Sequence, residues 1–201
     1  MSTEPEQSHT SPQPDAPPPF FASARERRLW TWTLLIVAGI YATLGLTPIL
    51  VGAIPQGVAA AGFLGAMLLV GLTILTQGLK VRPRGAEIGV ALGIAVVYFM
   101  VFFRMTIPER SHLIEYSVLA VFIYEALMER ARQGRRVFAP ALLAIIATAI
   151  VGLIDEGIQA ILPNRVFDAR DILFNILAGI MAVTTMAALG WARNRVNSGN
   201  E

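Results

Sequence analysis

The sequence predicts an all-α protein, a polytopic membrane helical bundle of about six transmembrane helices with both termini in the cytoplasm. Three observations carry that expectation. Of the 201 residues, 55% are hydrophobic and only 15% are charged, whereas a soluble domain carries about 25% charged residues. The apolar residues gather into consecutive runs near the roughly 20 residues that a membrane-spanning helix needs. Finally, Lys and Arg collect at alternate ends of those runs, as they do in cytoplasmic loops.

Taken in order, residues 1–28 read as a disordered Pro-rich cytoplasmic tail. Pro5, Pro12, Pro14, Pro17, Pro18 and Pro19 lie there among Ser, Thr, Gln and acids. Such a segment buries too little apolar area to offset the entropy of ordering. His9 belongs to it and takes no functional role. Residues 29–103 read as a three-helix scaffold half, with spans at Leu29–Val51, Val58–Gln77 and Ala86–Phe103. The first span lies behind a polar segment and is too long for a signal-peptide core, so it reads as an uncleaved anchor. Pro48 either kinks that span or marks its outer end. Gly85, Gly89 and Gly93 recur every four residues, and Gly62 and Ala66 echo them; small residues on one face let helices approach closely in lipid. Residues 104–192 hold three further spans, His112–Met128, Val137–Leu162 and Asp171–Trp191, and residues 193–201 form a second cytoplasmic tail.

The charges orient this bundle. Arg25, Arg27 and Arg28 precede span one, and Lys80, Arg82 and Arg84 separate spans two and three. Arg130, Arg132, Arg135 and Arg136 follow span four, and Arg193 and Arg195 follow span six. Only Arg104, Arg110, Arg165 and Arg170 fall on the other side. The positive-inside rule then sets the termini in the cytoplasm. That distribution also leaves no single basic surface for nucleic acid. The absence of cysteine excludes disulfides, thiolate metal sites and a cysteine nucleophile.

Polar residues crowd around the outward ends of spans four to six. Asp155 and Glu156 precede Gln159 by four and three residues, so all three share one helical face. His112, Glu115 and Tyr116 form a stripe on span four, and Asp171 and Asn175 lie one turn apart on span six. At about 1.5 Å per helical residue, Tyr116, Asn175 and Glu156 reach comparable depths. Ionisable groups at membrane depth are costly to insert and mark functional sites.

The two blocks together resemble the VanZ-like family of bacterial membrane proteins, named for a teicoplanin-resistance determinant. Glu109, Arg110, His112, Glu115 and Tyr116 carry the first block. Glu156, Gln159, Pro163, Arg165, Asp168, Asp171 and Asn175 carry the second, followed by the small residues Ala178 and Gly179. The resemblance runs from Pro108 to Ala182; alanine stands at 178 and 182 where the family usually has glycine. It implies a multi-pass protein of the bacterial inner (cytoplasmic) membrane, linked to the cell envelope and in some members to glycopeptide resistance. No agreed reaction comes with it.

The chemistry therefore rests on residue types. Glu156 and His112 are the candidate catalytic pair, because a partly buried carboxylate beside an imidazole titrates near neutrality. Arg165 and Arg110 are candidate headgroup ligands, since a guanidinium matches phosphate oxygens bidentately. Glu115, Tyr116, Gln159, Asp168, Asp171 and Asn175 complete the expected binding set. An anionic lipid or lipid-linked envelope precursor is the expected ligand. The competing reading is an interhelical network that only holds spans four to six together, with Arg165 and Arg110 paired to Asp168, Asp171 or Glu109. One of Asp168 and Asp171 is expected to cap span six. No cofactor and no metal is expected, because no paired-histidine signature accompanies the carboxylates. An intramembrane glutamate protease fits poorly: Ala160 stands where its arginine belongs, and His112 is the only histidine near the cluster.

Overall fold

A computed structural model describes residues 20–53, 55, 57–58, 88–89, 92–94, 96–97, 100, 107–162 and 167–198. Among these residues all regular structure is helical. Four long helices are defined: α1 Ala24–Ala53, α2 Ile107–Arg132, α3 Pro140–Gln159 and α4 Ala169–Ser198. They correspond to predicted spans one, four, five and six. Most of spans two and three, with Gly62, Ala66 and Gly85, lies outside the described residues, as do Pro163 and Arg165. A side-chain carbon added at Gly89 or Gly93 would meet nothing within 4 Å among the described residues.

Local chemistry sets each helix end. α1 begins at Ala24, inside the segment expected to be disordered through residue 28, and a sequence signature at Ser23–Glu26 explains the difference. Ser23 Oγ accepts from the Glu26 N–H at 3.0 Å, and Glu26 Oε2 accepts in return from the Ala22 N–H. This is the reciprocal logic of a capping box, shifted by one residue. Helix α1 also continues past Pro48 to Ala53. α2 stops at Gly134, whose φ of 77° is open to glycine at little cost. The N–H groups of Gly134 and Arg135 return to the carbonyls of Ala131 and Arg130, the Schellman pattern. α3 opens with Pro140 in its first turn behind Ala139, which adopts a left-handed φ of 44°. α4 is capped by Asp168, whose Oδ1 accepts from the Arg170 N–H at 2.8 Å. The capping aspartate is therefore Asp168, and Asp171 is left to face the cluster.

Helix α2 is central, packing on α1, α3 and α4, while α3 also packs on α4 and meets α1 only lightly. The core gathers Ile40 from α1, Leu113, Tyr116, Leu119, Ala120 and Ile123 from α2, Ala144 from α3, and Ala178, Ala182 and Val183 from α4. Small residues recur at the α3–α4 contact. A carbon added at Gly152 would stand 2.8 Å from Asn175 Cβ, and one added at Gly179 would touch Thr148 Cγ2 at 3.4 Å. A tight small-residue contact of this kind is how helices gain packing where lipid supplies no hydrophobic drive.

The outer faces are apolar. Leu142, Leu143, Ile146, Ile150, Leu153 and Ile154 of α3 are exposed, as are Leu173, Ile180 and Trp191 of α4. Among the described residues two helices, over Pro140–Gln159 and Ala169–Ala192, are long and apolar enough to cross a membrane, and only 28% of the apolar 18-residue stretch of each is buried inside the protein. A core helix of a soluble protein is buried far more completely, so the exposure favours membrane association.

At the end where α1 begins, ion pairs bind it to the end of α2. Arg130 Nη1 lies 2.9 Å from Glu26 Oε1, and the Glu26 side chain is wholly buried. Arg25 reaches Glu125 at 3.0 Å and Glu129 at 3.2 Å. Ser23 Oγ donates to Glu129 at 2.9 Å and Gln133 Nε2 at 3.1 Å. Those two hydrogen bonds, Ser23's first, hold the Glu129 carboxyl below its ordinary value of 4.5. A carboxyl depressed by folding stabilises above its unfolded pKa, and that contribution is lost as pH falls through the folded value. The melting temperature in detergent should accordingly fall as pH drops below about 4.5, and Glu129→Gln should flatten that part of the profile. An unchanged slope in the variant would assign the acid sensitivity to other carboxylates.

Candidate functional site

At the opposite end of α2 the polar residues of three helices meet. Residues 112 and 116 share a face of α2, so the His112 and Tyr116 rings lie nearly parallel, 5.9 Å apart and 20° between planes. Tyr116 is wholly buried and its hydroxyl donates to Asp155 Oδ2 at 2.9 Å. His112 lies between helices α3 and α4. Its Nδ1 is 4.0 Å from Asp155 Oδ2, and its Nε2 is 4.0 Å from Asp171 Oδ2. Each gap is beyond hydrogen-bonding reach. Nδ1 is buried and makes no hydrogen bond among the described residues.

Glu156, the next residue of α3, is also wholly buried. Both of its oxygens are held: Gln159 Nε2 donates to Oε1 at 3.1 Å, and the Asp168 N–H donates to Oε2 at 3.1 Å. The second bond joins the start of α4 to α3. One ligand atom each from His112, Glu156 and Asp171 can be chosen so that all three lie within 4.8 Å of one another. Glu115 is half-buried on the same stripe as His112. Asn175, one turn beyond Asp171, is fully buried against Gly152, and neither its Oδ1 nor its Nδ2 finds a hydrogen-bond partner among the described residues.

Of the residues expected to form a site, the structure thus brings together His112, Tyr116, Glu156, Gln159, Asp168 and Asp171. Asn175 sits at the α3–α4 contact, and Asp168 acts through its backbone and as a cap. The side chain of Arg110 and all of Arg165 lie outside the described residues. Two contributors were missed in choosing site residues. Asp155 is wholly buried and links Tyr116 to His112. Its place on the Glu156–Gln159 face was legible, but not that it would reach α2. Tyr41 of α1 donates to the Val151 carbonyl at 3.1 Å, one turn above Asp155. A lone tyrosine in an apolar span was its only signal.

Chemically, an imidazole set between carboxylates on two other helices can pass or hold a proton. A cluster of one imidazole and several carboxylates can equally hold a cation. No protein-family model, curated protein or solved structure matches the chain.

Proposed function

We propose that the chain is a VanZ-like integral membrane protein of the bacterial cell envelope. In this reading it lies in the inner membrane with about six spans, and its polar site receives the anionic headgroup of a lipid or lipid-linked envelope precursor. The observation that carries the proposal is the convergence of His112, Glu156 and Asp171 from α2, α3 and α4, their ligand atoms within 4.8 Å of one another. These residues belong to both blocks of the family pattern, which lie far apart in sequence. Position supports an outward-facing site. His112 and Arg130 are eighteen residues apart on α2, about 27 Å along the axis and close to the ~30 Å apolar thickness of a bilayer. With the arginine-rich end in the cytoplasm, the cluster opens near the outer face, where Arg110, Arg165 and Arg170 are also expected. Glu156 and His112 supply the acid–base chemistry for modifying the bound headgroup.

A second reading is favoured by the hydrogen bonds themselves. Tyr116 to Asp155 ties α2 to α3, and the Asp168 N–H to Glu156 ties α4 to α3. A purely structural scaffold would use the same network. Glu156→Gln separates the two, because it preserves shape and removes the proton-accepting charge. In a strain lacking the protein, lipidomics should reveal an envelope lipid that the wild-type gene processes and Glu156→Gln does not, with activity reduced by about 100-fold or more. The purified variant should melt near the wild-type temperature. Loss of thermal stability with the lipid profile fully restored would instead establish the scaffold.

A further inference from the structure

The charge balance of the cluster raises a difficulty for an anionic ligand. Asp155, Glu156 and Asp171 surround a single imidazole, and like charges at close range in a poorly hydrated site repel. A cation held among them would offset that repulsion and add to the positive charge that the arginines expected at this end offer a headgroup phosphate.

We propose that His112 Nε2, a Glu156 carboxylate oxygen and an Asp171 carboxylate oxygen form a three-ligand site for a borderline divalent cation, zinc or manganese, between α2, α3 and α4. The donor set selects that class. One imidazole and two carboxylates suit zinc or manganese, and without cysteine the softer thiophilic ions have nothing to bind. The separations fit a modest closure. Ligand atoms around such an ion stand roughly 3 Å apart at bond lengths of about 2.0–2.2 Å. Here Nε2 and Asp171 Oδ2 are 4.0 Å apart, and one ligand atom can be chosen from each of the three residues with no pair beyond 4.8 Å. Small side-chain rotations bring them together once a positive ion offsets the repulsion.

The second shell is the independent observation. A metal-bound histidine characteristically directs its other ring nitrogen at a carboxylate, which fixes the tautomer. His112 has this arrangement: Nε2 faces Asp171, while the buried Nδ1 faces Asp155 at 4.0 Å without a hydrogen bond. A cation on Nε2 keeps the proton on Nδ1 and turns that N–H toward the Asp155 carboxylate. Tyr116 already holds that carboxylate at 2.9 Å. The Glu156 carboxylate is likewise oriented, by Gln159 and by the Asp168 N–H, each at 3.1 Å. Three protein ligands leave at least one position open, as in catalytic rather than structural sites. What fills it rests on the headgroup reading: a phosphate oxygen of the lipid. With the cation in place, Glu156 and His112 act as its ligands, and this replaces the acid–base role given to them above.

The test uses the full chain, purified in detergent, stripped with a chelator and titrated with Zn²⁺ or Mn²⁺ alone. Bound metal after desalting and the melting temperature are the readouts. About one equivalent should be retained with a rise in melting temperature. His112→Gln and Asp171→Asn should each weaken binding by more than about 100-fold, and Tyr116→Phe by about 10-fold through the second shell. His9→Gln, in the N-terminal segment, should change nothing. Should either ligand variant fail to fold, Tyr116→Phe still reports. A wild-type chain that retains neither ion, or a His112→Gln chain that retains it fully, would overturn the proposal. Repeating the measurement in nanodiscs of phosphatidylglycerol or phosphatidylcholine separates it from the headgroup reading. Metal uptake with no preference for the anionic lipid leaves the cation site standing and removes the headgroup. A preference that persists in chelator without metal does the reverse.

Discussion

Arg130→Ala should destabilise the folded protein in detergent by about 3 kcal/mol, the largest loss expected from any single surface-end substitution. The reason is the partner it abandons. Glu26 is wholly buried, and its Oε1 rests on Arg130 at 2.9 Å, while its Oε2 serves the Ala22 N–H. Without the guanidinium the buried carboxylate loses its ionic partner in a dry environment, which is costly. The figure sits at the low end of the usual range because the Arg130 side chain is 31% exposed. Thermal or denaturant unfolding of the two proteins checks it. The double variant Glu26→Gln with Arg130→Met should recover much of the loss, because no charge remains to be stranded. A double variant as unstable as Arg130→Ala would mean that the arginine acts through its contacts with solvent or lipid instead.

A comparable effect is expected at Gly152. A methyl-sized atom there would stand 2.8 Å from both Asn175 Cβ and Nδ2, and the Cβ belongs to the fixed part of its side chain. Gly152→Leu must therefore push α3 away from α4, at a cost of about 3 kcal/mol. The displacement also separates Glu156 from the Asp168 N–H, so metal or lipid binding at the cluster should fall with stability. Gly157→Leu is the control five residues on: nothing lies within 4 Å of an added carbon there. A stable Gly152→Leu protein would show that the α3–α4 contact is looser than its geometry.

Much of this arrangement was legible in the sequence because helical periodicity is a strong constraint. The expected spans 112–128, 137–162 and 171–191 lie close to the helices observed at 107–132, 140–159 and 169–198. Residues 112 and 116, 155, 156 and 159, and 171 and 175 had to share faces once those helices existed. Their meeting followed from equal depth. The rest depended on side-chain reach and could not be read from spacing. Asp155 and Glu156 are adjacent and equally polar, yet Asp155 turns to Tyr116 and Glu156 to Asp168. That choice follows from the relative rotation of α2 and α4, which no single-helix pattern encodes. The start of α1 was readable and overlooked: Ser23 and Glu26 stand at capping-box spacing, but the prolines before them suggested disorder through residue 28. Asn175 conformed in position only: it packs against Gly152, and its amide finds no hydrogen-bond partner among the described residues.

The Glu26–Arg130 pair has a bearing on topology as a matter of parity. It fastens the beginning of α1 to the finish of α2, while Ile40 and Leu113 share the core farther along. The two helices therefore run in opposite directions. In a bilayer, the chain leaving α1 and the chain entering α2 then stand at the same face of the membrane. Whatever joins them must cross an even number of times. The two spans expected at 58–77 and 86–103 would obey that rule, whereas one span or three between the helices would place Glu26 and Arg130 on opposite sides. A single ion pair thus acts as a check digit on the span count.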